Sequence, residues 1–245
     1  MNTAQVTLRG NVQLTTQAAA ALLDRGIPVV FLTAGGYYRG RLAGTDTHNV
    51  DLRIAQYRTS TDPEACLKLA RAFITAKVRN ARTLLRRNHA QLEPTVLGQF
   101  KQTIRKIADC DSAASLLGLE GTAARVYFQH FTGAFSQRSL GRFEFERRNR
   151  RPPTDPVNAL LSFAYALLLK DIVIAATTAG LDPLLGVYHQ PRFGRPALAL
   201  DLMEEFRPII ADSVVLTAIN NGVVGQGDFT MLASACSIAD AERKR

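Results

Sequence analysis

From Asp62 onward, apolar residues recur at helical spacing over most of this chain, which commits its larger part to packed α-helices. Asp62-Pro63 joins an N-cap to a first-turn proline, and behind it Leu67, Ala70, Phe73, Ile74 and Val78 share one face. The spacing predicts a helix running to about His89 and another over Pro94 to Ala108. Asp155-Pro156 opens a further helix, in which Leu160, Phe163, Ala164, Leu167 and Leu168 imply burial on most sides before Gly180 ends it. Pro183, Gly186, Pro191 and Gly194 then make the stretch up to Pro196 a loop.

Residues 1–60 follow a different period. Val6 to Leu8 reads as extended, Thr15 or Thr16 caps an alanine-rich helix, and Gly26 ends that helix at its C′ position. Ile27 to Thr33 is an apolar strand, Gly35-Gly36 a turn, and Tyr37 to Leu42 a returning strand. A polar connector over Gly44 to Thr61 follows. The expected fold is therefore α+β: a partial N-terminal β-rich or αβ domain with its linker over 1–60, then a larger all-α domain over 61–245.

At 245 residues with 47% hydrophobic and 21% charged side chains, the chain is long and apolar enough to bury a real core. Thirty Lys and Arg against 21 Asp and Glu give a net charge of +9, suited to phosphate backbones or anionic membranes. The longest apolar run, Ala159 to Leu169, is broken by Ser162 and closed by Lys170 and Asp171, short of the ~20 residues that cross a bilayer. Arg9, Asn11 and Gln13 interrupt Val6 to Leu14, so no signal peptide is expected, and the expected location is the cytoplasm without a membrane partner. Cys66, Cys110 and Cys236 are odd in number and widely spaced, which suits reduced thiols.

Chemistry is concentrated in a few acids and one imidazole. Gly118 interrupts one helical run, which puts Glu120 in the first turn of the next, where the helix dipole favours an anion. Steps of three and four from it reach Ala123, Ala124, Tyr127, Phe128 and Phe131, so the carboxylate shares a face with inward-packing residues. A buried carboxylate left alone costs several kcal/mol, so Glu120 calls for a cation, a hydrogen-bond network or a proton. Asp201 and Glu204 stand one turn apart on a helix whose apolar face is Leu202, Met203, Phe206, Ile209 and Ile210. Pro208 cannot donate to the carbonyl of Glu204, so the helix is expected to kink or loosen beside that acid. His189 precedes this helix in the Gly/Pro loop, near Arg192 and Arg195, which could meet phosphate oxygens while the imidazole meets a metal. Two or three carboxylates and one imidazole are the donors a hard divalent cation such as Mg²⁺ or Mn²⁺ accepts.

Basic residues gather at Lys77, Arg79, Arg82, Arg86 and Arg87, at Lys101, Arg105 and Lys106, and at Arg147, Arg148, Arg150 and Arg151. Spread over separate elements, they could line a path for a nucleic-acid backbone. Aromatics make up only 7% and tryptophan is absent, so base stacking is not the main expected mode.

The segment Leu117-Gly118-Leu119-Glu120-Gly121-Thr122-Ala123-Ala124-Arg125-Val126-Tyr127-Phe128 resembles the glutamate motif of the CRISPR-associated endonuclease and integrase family, the Cas-one proteins. Arg151 to Ser162, Gly180-Leu181-Asp182-Pro183 leading to His189, and Gly194 to Pro208 resemble it too. So do Asn11 to Thr16 and Gly26 to Leu32, which look like the segment joining that family's β domain to its helical one. The resemblance implies a catalytic site of Glu120, His189, Asp201 and Glu204, with Glu120, His189 and Glu204 holding Mg²⁺ or Mn²⁺ and Asp201 supporting the ion or DNA. It implies spacer acquisition: a homodimer, bridged by the small second Cas protein, joins the 3′-hydroxyl ends of a double-stranded protospacer to a CRISPR repeat. Arg125, Arg147, Arg148, Arg150, Arg151, Arg192 and Arg195 are the expected DNA contacts. Family members carry more β-strands before the Asn11 region and a further helical segment after Arg245, so a gene fragment or one part of a fusion is expected. The competing reading is a non-catalytic basic helical module whose acids are ordinary helix caps.

Overall fold

A computed structural model describes residues 3–36, 38–44, 49–139, 141–149, 152–233 and 235–239. At the N-terminus, β1 (Val6–Arg9) runs parallel to β2 (Val29–Leu32) through the helix α1 (Thr16–Asp24), and β3 (Tyr38–Leu42) returns antiparallel to β2. The β-branched and aromatic residues Val29, Val30 and Phe31 favour the pleated backbone, while Thr15 caps α1 by accepting from Ala18 N–H at 3.2 Å. Gly26 takes φ +65°, the left-handed turn that releases the chain into β2. Tyr37, expected in the returning strand, lies outside the described residues. Val30 and Leu32 pack on Ile174, which ties the sheet to the helical body.

The expected polar connector is in part a helix, α2 (Val50–Ser60), capped by Asn49, whose side chain accepts from Leu52 N–H. Its polar residues serve a purpose that no amphipathic pattern reveals. The Gln56 amide donates to the Asp182 and Leu185 carbonyls at 2.8 and 3.3 Å and accepts from Asp182 N–H at 2.8 Å. This helix therefore braces the loop that carries His189.

The helical body comprises α3 (Pro63–Asn88), α4 (Pro94–Ala108), α5 (Ala113–Gln129), α6 (Pro156–Thr178), α7 (Ala197–Phe206) and α8 (Ser213–Asn220). Asp62 caps α3 by accepting from Glu64 and Ala65 N–H, and α3 packs against α4, α5 and α7 through Ala70, Ile74, Val78 and Ala81. Helix α5 runs unbroken through Gly118, so Glu120 is mid-helix and not in a first turn. Ser112 caps it further upstream, and the packing of Leu116 and Ala123 outweighs the ~1 kcal/mol that a helical glycine costs. Asp201 likewise lies beyond the first turn of α7.

Helix α6 spans 23 residues with a window of mean hydropathy 1.9, long and apolar enough to cross a membrane by length and composition. The expectation that no stretch reached that length is corrected, because Ser162 breaks an apolar run without breaking a helix. In this fold α6 packs against α7, α8 and the C-terminal hairpin of β4 (Phe229–Leu232) and β5 (Ala235–Ile238), so the segment after Asp62 carries strand as well as helix. Between α7 and α8, Arg207–Asp212 forms a π-helical turn, the loosening expected of Pro208. Cys66, Cys110 and Cys236 are free thiols.

Candidate functional site

Packing of α5 and α7 against α3 brings acids far apart in sequence to one point. Lys77 of α3, on the edge of the buried stripe, extends its ammonium between Glu120 of α5 and Glu204 of α7. It contacts Glu120 Oε1 and lies 2.6 Å from Glu204 Oε2. Arg207 Nε stands 3.1 Å from the same Glu204 oxygen, although neither approach to that oxygen has hydrogen-bond alignment. Burial alone would raise the Glu204 carboxyl, but Lys77, then Arg207, outweigh it and hold the group below the usual carboxylate range. Tyr188 donates to Glu120 Oε2 at 2.6 Å. Burial first, then this bond, pushes the Tyr188 hydroxyl up, so it is a donor at neutral pH.

The loop reaches the site by wrapping round a buried anion. Asp201 has 0% side-chain exposure, and its carboxylate accepts from the N–H groups of Val187, Tyr188 and His189 at 2.7, 3.0 and 2.8 Å. Such a close approach needs Gly186, where a Cβ would stand 2.8 Å from Ala197 backbone and 2.9 Å from Asp201 Oδ2. Asp201 Oδ1 also lies 2.7 Å from His189 Nδ1. With Nδ1–H donating there, Nε2 keeps a lone pair and faces Glu204 Oε1 at 4.0 Å.

A second buried group lies behind Glu120. Asp212 accepts from Tyr127 at 2.9 Å and Tyr165 at 2.6 Å, and burial raises its carboxyl to about 6 against the pull of those donors and of Arg207 and Arg148. Arg207 and Arg148 lie over the Tyr165 ring at 4.6 and 5.3 Å.

Glu120, His189, Asp201 and Glu204 are thus brought together. Lys77 is not part of a phosphate-facing surface, as its place in a basic run suggested, but points inward. Sequence reasoning passed over Arg207, Asp212 and Tyr188. Arg207 sits at i+3 from Glu204, the spacing of a helical ion pair, which was the available signal. Among the expected DNA contacts, Arg125 and Arg147 are exposed beside one cleft and Arg192 is exposed on the loop, where Arg195 is half-buried. Arg148 turns inward, donating to Asn158 Oδ1 at 2.7 Å and Ser162 Oγ at 3.1 Å. Arg150 and Arg151 lie outside the described residues.

Among the described residues, no three His, Cys, Asp or Glu side chains stand preassembled round a metal point. The donor set nevertheless fits a divalent cation. Two carboxylates from different helices already close on a single positive charge, Glu204 Oε2 has no hydrogen bond, and an imidazole braced by a carboxylate presents its free nitrogen beside them.

A family model described as "CRISPR associated protein Cas1" matches residues 1–245. A Cas4 exonuclease/Cas1 endonuclease fusion of Geobacter sulfurreducens is 51% identical over 99% of this chain, which spans 45% of that protein. A Cas1 endonuclease of Thermus thermophilus is 39% identical over 92% of the chain and 65% of its own length. The chain thus spans about half to two thirds of the curated relatives it matches. A casposase bound to integration product superposes with TM-score 0.78 at 27% identity, covering 95% of this chain and 65% of that one. A partial Cas6-RT-Cas1–Cas2 complex gives 0.78 at 29%, covering 98% and 74%. Matched from end to end by the family model and sharing its fold with these structures, the chain belongs to the CRISPR-associated Cas1 family.

Proposed function

We propose that this chain carries the centre of a metal-dependent DNA endonuclease and integrase that inserts new spacers into CRISPR arrays. The observation that carries the reading is that Glu120 and Glu204, from two helices, meet at one ammonium while His189 Nε2 faces the other Glu204 oxygen at 4.0 Å. Relatives named as endonucleases and a structural neighbour bound to integration product support it.

Glu120, His189 and Glu204 would hold Mg²⁺ or Mn²⁺, which when bound offsets charge on the phosphoryl oxygens and orients the nucleophile. Asp201 fixes the imidazole so that Nε2 faces the centre, and its grip on three consecutive N–H groups keeps the loop from drifting. In joining, a 3′-hydroxyl oxygen bonds to a phosphorus of the repeat, the existing P–O3′ bond breaks, and the proton of the attacking hydroxyl passes to the departing oxygen. Arg125, Arg147 and Arg192 offer exposed positive charge for the flanking backbone. Residues 61–245 are the catalytic domain in this reading, with 1–60 a partial β domain and linker. The working form in this reading is a cytoplasmic homodimer joined by the small second Cas protein; a structural neighbour that is a Cas6-RT-Cas1–Cas2 complex supports the second Cas protein as partner.

The test is cutting and strand joining on branched or repeat-containing DNA with Mg²⁺ or Mn²⁺. Glu120→Ala and His189→Ala should each abolish both while leaving DNA binding nearly intact. Cutting or joining that persists unchanged in either variant counts against the proposal, whereas salt-sensitive DNA binding indifferent to a chelator, with no cutting or joining by the wild type, favours a non-catalytic binding module.

A further inference from the structure

We propose that Lys77 is a built-in competitor for the metal: its ammonium occupies the cation position between Glu120 and Glu204, and a divalent ion must displace it to bind. The inference rests on the metal-site reading above and concerns a residue which that reading leaves without a role.

Three features of Lys77 point this way. Its side chain is 16% exposed, so the ammonium has given up most of its water, and such a group is stable only beside compensating charge. That charge comes from two carboxylates on two different helices, contacted by one nitrogen. Glu204 in particular is 4% exposed, and Glu120 faces it across the ammonium. Without Lys77 there, repulsion between these two acids would work to push α5 and α7 apart. Lys77 therefore holds the acids in register when no metal is present.

The same contacts oppose joint occupancy. Mg²⁺ and Mn²⁺ bind carboxylate oxygens at roughly 2.1 Å, and Lys77 Nζ already lies 2.6 Å from Glu204 Oε2. An ion sharing those oxygens would lie within a few ångströms of the ammonium, where like charges repel strongly in a partly desolvated site. The four-carbon stem of lysine lets the ammonium withdraw without moving the helix, which the planar fork of an arginine would do less readily. The chain thus exchanges a resident monovalent charge for an incoming divalent one.

The experiment is calorimetric titration of Mn²⁺ into the full chain without DNA, comparing wild type, Lys77→Met and Lys77→Gln, with melting temperatures taken in EDTA and in Mn²⁺. Lys77→Gln keeps hydrogen-bonding capacity and guards against a variant that fails to fold. Both variants should melt lower than wild type in EDTA, bind Mn²⁺ at least tenfold more tightly, and gain more in melting temperature when Mn²⁺ is added. Adding Glu204→Gln to Lys77→Gln should cancel the gain in affinity. If wild type binds Mn²⁺ and both variants bind it equally or more weakly, the competitor role is overturned and the metal reading survives. If none of the three binds Mn²⁺, both fall.

Discussion

Asp201 shows how much a single carboxylate can organise. Three backbone donors and the His189 ring all converge on it, and it is fully buried. In Asp201→Asn an NH₂ group must face at least one of those N–H donors, so we expect a loss of about 3 kcal/mol in urea unfolding, accompanied by loss of cutting. Asp212 makes a separate prediction. Its folded carboxyl titrates near 6, above the unfolded 3.8, so its contribution to stability is complete below pH 3.8 and is lost as pH rises through 6. The stability gap between wild type and Asp212→Asn should therefore narrow by roughly 2 kcal/mol from pH 4 to pH 7, and a gap that widens would contradict the assignment. Glu120, His189, Asp201 and Glu204 could be singled out as candidates because carboxylates and imidazoles are the residue types that hold hard cations. Lys77 and Asp212 were not, since nothing local distinguishes a lysine bound for solvent from one that meets two acids on other helices.

Helix and loop boundaries were readable where the chain carries its own punctuation. Asp62-Pro63 and Asp155-Pro156 start α3 and α6, because a side-chain cap and a preset φ act within one turn. Helix α2 escaped notice since its stabilising partners are the carbonyls of the loop after α6, far along the chain. The break expected at Gly118 did not occur, because packing on α3 outweighed a weak local preference. Gly186 tests the loop as an element. Gly186→Ala should force the backbone away from α7, costing about 1–3 kcal/mol by urea unfolding and weakening Mn²⁺ affinity as the imidazole shifts. Unchanged unfolding and Mn²⁺ affinity would mean that the loop has room to spare.

At the scale of the whole molecule, a net charge of +9 should make DNA association steeply salt-dependent. Arg125→Ala and Arg147→Ala should each lower the slope of log affinity against log salt by about one if each meets a phosphate. Arg148→Ala should instead lower thermal stability, since that guanidinium braces Asn158 and Ser162. The centre draws Lys77 from α3, Glu120 from α5, His189 from the loop and Asp201 and Glu204 from α7, which are well-separated stretches of chain. Contacts of such high sequence separation form late in folding. A chain still emerging from the ribosome therefore holds no assembled centre, and these side chains meet only after the last of the helices that carry them has docked.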